Sequence, residues 1–443
     1  MPGILSNKFL AAALLVSALV LAGCAGEETR PPTAIPTGTL TRLPTATQSP
    51  VSNPFLASEP TATRASTAVP VVTLTAIPTA APTRVPVPTV SVLVPTPDFV
   101  SSMPLSGPVS SSAIAVSPDG AMVAAVNPDS DSITLMDAVT LEVIEEVPVG
   151  DDPRTLSFTP DSRALLVANQ SSANVAILDV ARPRRIVQIP VGSMPYGVVT
   201  DGQHAFIAEF ALGNLEVIDL SDNSVVKRLP VGTFPAGLAL LPWAPDDVGD
   251  VQGGLLLVAH FFNGQVTVVG LATLSVVARN FTGLGTNLSQ FLVVGPETAK
   301  VYLPQTRSNS TNTALTFDTT VFPVVNVLDL NDFSLLTRDR ITIDTADQPA
   351  NSPFAAALSP DESRLFVVHA GSDNVSVIDL AGNQGLGNID VGANPRGIAI
   401  TPDGSTLLVN NVLDGTVSVI DANTLEVTNT IGLTKIPLSA EVL

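Results

Sequence analysis

Residues 113–150 read AIAVSPDGAMVAAVNPDSDSITLMDAVTLEVIEEVPVG, and residues 155–192 follow the same plan as TLSFTPDSRALLVANQSSANVAILDVARPRRIVQIPVG. Each unit opens with alternating apolar residues and turns at S/T-P-D-G/S. A second apolar strand ends in Asn or His, a third ends in an aliphatic-Asp pair, and a fourth closes at P-V-G. Period-two alternation is the mark of a strand, and Pro-Asp-Gly clusters are the mark of a tight turn. The third-strand aspartates Asp137, Asp179 and Asp219 are spaced by 42 and 40, and Asp379 and Asp421 by 42. Gly150, Gly192 and Gly232 keep the same steps of 42 and 40. A period near forty with four short strands per unit defines a propeller blade.

Working outward, a blade starts near Pro235 with the extra stretch PWAPDDVGDVQGG, and another near Leu288 with the insertion PQTRSNSTNTALTFDTTVF. Regular blades follow from Pro353 and from Pro395 to Thr434. With the three at the front, the count is seven. The expected fold is all-β: a seven-bladed β-propeller of four-stranded antiparallel blades occupying residues 109–443, preceded by a disordered Pro/Thr-rich linker. One blade leaves both faces of its sheet bare, whereas a ring of blades covers them and removes the long free edges. Closure is expected from packing, or from a strand near residues 98–108 joining a sheet edge.

The front of the chain has a different character. Lys8 precedes an apolar run over residues 9–22, too short for a comfortable membrane span and suited to a signal-peptide core. It ends in Leu21-Ala22-Gly23-Cys24, which resembles a bacterial lipobox, and Cys24 is the only cysteine in the chain. The resemblance implies a signal peptide over residues 1–23 and a diacylglyceryl group on Cys24, anchoring the protein to a membrane on its extracytoplasmic side. Residues 24–108 are rich in Thr, Pro, Ala and Ser. Proline removes backbone donors, so a PPII-biased tether is expected. At about 3.1 Å per residue its Pro-rich part reaches on the order of 200 Å.

Composition narrows the function. Over 443 residues the net charge is −20, with only 20 Lys plus Arg, so a phosphate backbone is repelled and nucleic acid is not an expected partner. A single cysteine removes internal disulfides, CxxC metal sites and CxxCH haem attachment, and no cofactor is expected in this chain. No nucleophile-elbow, P-loop or HExxH motif is present.

Candidate ligand-binding residues follow from propeller geometry, in which the entry to each inner strand and the loop between the second and third strands open on one face. Arg154, Tyr196, Ala236 and Arg396 stand at inner-strand entry. Asn127, Asn169, Glu209, His260, His369 and Asn410 end the second strands. In the fifth blade that place is held by Leu303 to Gln305, followed by a long loop with Arg307, Asn309, Asn312, Phe317 and Asp318. The set Arg154, Tyr196, Glu209, His260, Gln305, Arg307, His369 and Arg396 is the candidate mouth. The asparagines read as turn formers, as do the third-strand and S/T-P-D aspartates. His260 and His369 fall on non-adjacent blades and His204 lies away from the mouth, so no metal site is expected. Asp246, Asp247 and Asp250 lack a full calcium ligand series and read as a solvated acidic loop.

The S/T-P-D turns at 117, 159, 359 and 401, the V-I-D or L-D strand ends, the P-V-G ends and the NPRGIAIT strand start resemble the YVTN family of β-propellers over roughly residues 111–434. The second-strand tyrosine of that family is largely lost here, as in LLVANQ, LFVVHA and LLVNNV. The fifth-blade stretch and the ending TKIPLSAEVL are similar to YVTN propellers fused to a c-type di-haem peroxidase-like domain. That similarity implies a haem-protein partner such as a c-type cytochrome. Three functions are therefore weighed. The first is a non-catalytic module binding a protein or small ligand at the mouth. The second is a partner of a haem redox protein. The third is a lactonase-type hydrolase using Glu209, His260 and Arg396.

Overall fold

The computed structural model describes residues 99–434 apart from 102, 246–252, 284, 309–320 and 344–349. The signal peptide, Cys24, the tether, the acidic loop Asp246–Asp247–Asp250, the fifth-blade loop residues Asn309, Asn312, Phe317 and Asp318, and the ending TKIPLSAEVL beyond Thr434 lie outside these residues. The described chain forms a seven-bladed β-propeller of antiparallel blades. Blades 1, 2 and 3 span Ile114–Pro148, Pro153–Pro190 and Pro195–Pro230; blades 4, 6 and 7 span Pro235–Phe281, Pro353–Asp390 and Pro395–Gly432. Blade 5, Thr286 to Thr342, departs from the plan. Its innermost position is split between Thr286–Asn287 and Val293–Gly295, both paired with the long strand Lys300–Ser308.

Burial explains the hydrophobic pattern of each strand. The second strand of blade 2, Ala164–Asn169, is buried along its whole length, because both sheet faces are covered by neighbouring blades. The outer strands Ser224–Pro230 and Glu426–Gly432 are almost wholly exposed, and they carry Lys, Arg, Glu and Asn. Seven apolar clusters form the core, one between each pair of neighbouring blades, including the seventh and first. A fully buried Leu166 or Ile177 contributes about 2 kcal/mol by leaving water.

The turns follow from side-chain hydrogen bonding. In the S/T-P-D turns Ser117, Thr159, Ser359 and Thr401 donate through Oγ to Asp119, Asp161, Asp361 and Asp403 at 2.5–2.7 Å. In blade 6 the Ser359 hydroxyl, with the N–H and hydroxyl of Ser363, holds the Asp361 carboxyl down to about 2. The third-strand aspartates accept backbone N–H groups two or three residues on, as at Asp137 and Asp421. Both sets are turn formers.

Each blade is built from consecutive residues, so the ring closes by packing. Asn410 Nδ2 of blade 7 donates to the carbonyls of Ala113 and Val126 in blade 1, and Thr134 Oγ1 donates to the carbonyl of Leu433. The N-terminal strand joins an inner edge rather than an outer one: Val109–Ser110 pairs with the inner strand of blade 4, Val109 opposite Leu240. The chain enters at the face of the S/T-P-D turns, where the Ser101 N–H donates to the carbonyl of Gly202. It then rises beside blade 4 and crosses at Ser112, opposite Leu156 of blade 2, to begin blade 1. The centre of the ring is thus occupied by the chain's own backbone.

Candidate functional site

Inner strands begin, and second strands end, on the face opposite that entry point. Two layers stand there. The upper layer comes from inner-strand entry. Arg154, Tyr196, Phe291, Phe354 and Arg396, with Ala113 and Val126, surround a central space of only about 10 Å³. That volume holds at most one water, so the centre is plugged.

Each polar group in this layer is held. Arg154 donates to Asp152 and to Gln170, both at 2.9 Å, and Tyr196 Oη donates to Gln290 at 2.6 Å. Arg396 donates to Asn394 at 2.6 Å and lies 5.3 Å above the Phe354 ring. Burial, helped by the charge of Arg154, pulls the Arg396 guanidinium down to about 10. Burial pushes the Asp129 carboxyl up, against the attraction of Arg396 and Arg154.

The lower layer is a set of polar rungs at the second-strand ends. Strand register aligns Asn127, Asn169, Glu209, His260, Gln305, His369 and Asn411. Asn411, not Asn410, therefore holds the blade 7 place. Glu209, His260, Gln305 and His369 are all 0 % exposed. They point into their own blades. His260 bonds the Thr233 carbonyl at 2.8 Å and Thr267 Oγ1 at 2.9 Å, and His369 bonds Ser376 at 2.8 Å. Burial lowers both histidines, His369 to about 3, which keeps them neutral. Gln305 accepts from Asn326, which in turn accepts from Arg340.

Blade 3 carries the charged version of this rung. The Gly192 N–H is shared between Glu209 and Glu216, Asn214 donates to Glu209, and Arg228 donates to Glu216 at 2.9 Å. Burial and the hydrogen bond to Glu216 push Glu209 up to about 7. Burial also acts on Glu216, but its bonds to Glu209, Arg228 and Gly192 outweigh it and hold that carboxyl low. Below about pH 7 the pair thus holds one proton, on Glu209.

The rungs explain the P-V-G ends. A Cβ on Gly192 would sit 2.1 Å from Glu209 Oε1, on Gly150 2.9 Å from Asn169, and on Gly392 2.6 Å from Asn411. The glycine ending one blade and the polar residue ending the next blade's second strand are two sides of one contact.

Of the eight residues expected at the mouth, Arg154, Tyr196 and Arg396 meet around the central space, and Glu209, His260, Gln305 and His369 lie beneath it in separate blades. Arg307 stands on the blade 5 hairpin, 5.7 Å from the Phe322 ring. His204 is at the opposite face, 3.4 Å from Asp201. Among the described residues no group of three or more His, Cys, Asp or Glu is placed to hold a metal.

An aromatic arc is the feature sequence reading missed. Phe354, Phe291, Tyr196, Phe210, Phe234, Phe262 and Phe261 form a chain of rings with centroids 4.6–6.3 Å apart. Such pairs are worth about 1 kcal/mol each beyond area burial. Phe210, Phe234, Phe261 and Phe262 stay half-exposed, joined by exposed Leu212 and Met194. The four loops of this sector, residues 191–194, 210–213, 231–234 and 261–264, contain no charged residue. The facing sector, from blades 1, 2, 6 and 7, presents Asp129, Asp131, Asp151, Asp152, Asp373 and Asp414. The available signal was aromatic residues directly after the second-strand ends of blades 3 and 4, in a chain only 4 % aromatic.

Fold and site together define a seven-bladed propeller with a filled centre and, among the described residues, a mouth on which an uncharged apolar sector faces one rich in carboxylates. A family described as Lactonase, 7-bladed beta-propeller matches residues 95–188, the stretch holding the entry strand and blades 1 and 2. No curated protein matches the chain. Among solved structures it is similar to the Kuenenia stuttgartiensis hydrazine synthase, at 20 % identity and a TM-score of 0.62, covering 70 % of this chain and 94 % of that one. It is also similar to the Myceliophteria thermophila Cps50 (Swd1) β-propeller domain, at 13 % identity and a TM-score of 0.53, covering 70 % and 96 %. At these identities the likeness is one of fold.

Proposed function

We propose that this protein is a non-catalytic binding module, anchored through Cys24 on the extracytoplasmic side of a membrane, whose mouth grips a protein segment that is apolar on one side and cationic on the other. The observation that carries this reading is the division of the mouth. Half-exposed rings offer a surface that gains by leaving water. The carboxylates across from them attract positive charge and speed encounter. A filled centre favours surface docking over engulfing a small substrate.

The family match over residues 95–188 keeps a hydrolase within view. Such chemistry needs an acid–base pair and a cation facing a common substrate space. Glu209 and His260 are 0 % exposed and bonded within blades 3 and 4, while Arg396 lines a space of about 10 Å³. The binding reading is therefore preferred.

The test is site-specific photocrosslinking in native membranes. Benzoylphenylalanine at Leu212 or Leu413, which are 54 % and 61 % exposed on the mouth, should capture one defined protein, less efficiently at high salt. The same group at Val427, on the outer strand of blade 7, should not. Equal capture from all three positions, or none from the mouth, overturns the reading. Capture of a haem protein would identify the partner as a redox protein.

A further inference from the structure

Blade 2 breaks a rule that the other six blades obey. Four residues beyond each third-strand end, Leu141, Asn223, Leu274, Phe333, Asn383 and Leu425 take left-handed backbone angles, with φ between 47° and 62°. The corresponding residue of blade 2 is Pro183, whose ring locks φ near −65° and forbids that turn. The hairpin re-forms with Arg182 opposite Asp179, and residues 183–185 are squeezed out of the ladder between the Leu178–Ile186 and Asp179–Arg182 pairs.

That distortion accompanies a crevice beneath blade 2, on the face where the chain enters, which reaches blade 1 at Asp119 and Met122 and the entering chain at Phe99 and Val100. It measures about 660 Å³, a size typical of small-molecule sites. The crevice at the corresponding place between blades 6 and 7 measures about 340 Å³ and is crossed by Arg364, which donates to the Ala422 carbonyl at 2.9 Å. Met122 takes the place of Arg364 in blade 1 and lines the larger crevice with Phe99 and Val180.

The charges around it are unevenly committed. Asp119 and Asp161 are held by their own turns, and Asp179 is held by Arg182 and by backbone N–H groups. Arg163 is largely exposed and reaches Asp161 only at 4.0 Å. Arg185 is half-buried against the crevice, and among the described residues no ion pair or hydrogen bond engages it. In a chain of net charge −20, a cavity edged by uncommitted arginine over an apolar floor is selective for an anion. We propose that this crevice is a second binding site, separate from the mouth, for an amphiphile with a phosphate or carboxylate head held by Arg185 and Arg163 and an apolar body lying on Met122, Phe99 and Val180.

The experiment is titration calorimetry with octyl phosphate below its micelle concentration, using the full chain with Cys24→Ser and no detergent. Octyl phosphate should bind one to one, and inorganic phosphate roughly tenfold or more weakly. Arg185→Gln should weaken octyl phosphate binding by about tenfold or more. Pro183→Asn, which installs the residue that blades 3 and 6 use at this turn, should abolish it. Phe234→Ala, at the mouth, should leave it unchanged. Unaltered affinity in Arg185→Gln, equal affinity for inorganic phosphate, or loss in Phe234→Ala would overturn the proposal, and Arg185→Gln decides alone should Pro183→Asn fail to fold. Sedimentation with phosphatidylglycerol vesicles tells a bilayer lipid from a free amphiphile: binding to both vesicles and octyl phosphate assigns a lipid headgroup, and binding to octyl phosphate alone a soluble ligand.

Discussion

Replacing Glu209 with glutamine should make the protein more stable at pH 8 and no more stable at pH 4.5. In the native state the Glu209 carboxyl is pushed up to about 7 from an ordinary 4.5. A group whose folded value is raised contributes fully below its unfolded value, and that contribution drains away as pH rises toward the folded value. For Glu209 the loss runs from pH 4.5 to about 7. An interval of about 2.5 pH units corresponds to about 3 kcal/mol of proton affinity. The pull of Arg228, 3.8 Å from Glu209, is already contained in that value, so up to about 3 kcal/mol is the expected gain in the variant at pH 8. Glutamine reproduces the protonated carboxyl in shape, and blade 5 already uses Gln305 with Asn326 and Arg340 in this place. The assay is urea unfolding of both proteins at pH 5, 6.5 and 8. The wild type should lose stability across this series relative to Glu209→Gln. Parallel pH profiles, or a variant less stable than the wild type at pH 8, would refute the shared-proton description of the rung.

Other expectations follow from the same contacts. Gly192→Ala forces a Cβ against Glu209 and should cost about 2–4 kcal/mol in urea unfolding, whereas Gly432→Ala, with nothing within 4 Å, should stay within about 0.5 kcal/mol. Phe210→Ala removes the ring that touches Tyr196, Phe234 and Phe261, so it should cost about 2–3 kcal/mol and halve or worse the crosslinking yield at Leu212. Cys24→Ser should move most of the protein from the membrane fraction to the soluble one on ultracentrifugation, because the proposed acyl anchor is lost.

The ring was legible because its period is written several times over. Turn chemistry, strand alternation and P-V-G ends recur at fixed steps, and each is a local consequence of backbone geometry. The site was less legible, for a physical reason. Position within a repeat tells which face a strand end approaches, but not whether its side chain turns outward or into its own sheet. Glu209, His260, Gln305 and His369 stand at the mouth end of their strands, yet register aims them at the third strand. Blade 7 shows the same limit in miniature, where Asn410 and Asn411 are adjacent and only pairing tells which one is the rung. The blade end shows it again: pairing puts Gly432 of blade 7 opposite Thr416, level with Pro230 of blade 3, so Thr434 and not a glycine falls level with Gly232. The aromatic arc is assembled from four blades, and no single repeat announces it.

The entry strand along the ring's centre also sets how the propeller answers mechanical load. A pull on the chain at Phe99 does not peel an outer strand, where ladder bonds would break one after another. It draws Val109–Ser110 lengthwise against blade 4, so the bonds there must fail together, in shear. If the chain is anchored through Cys24 as proposed, the same pull acts from the side opposite the mouth and leaves that face pointed away from the force.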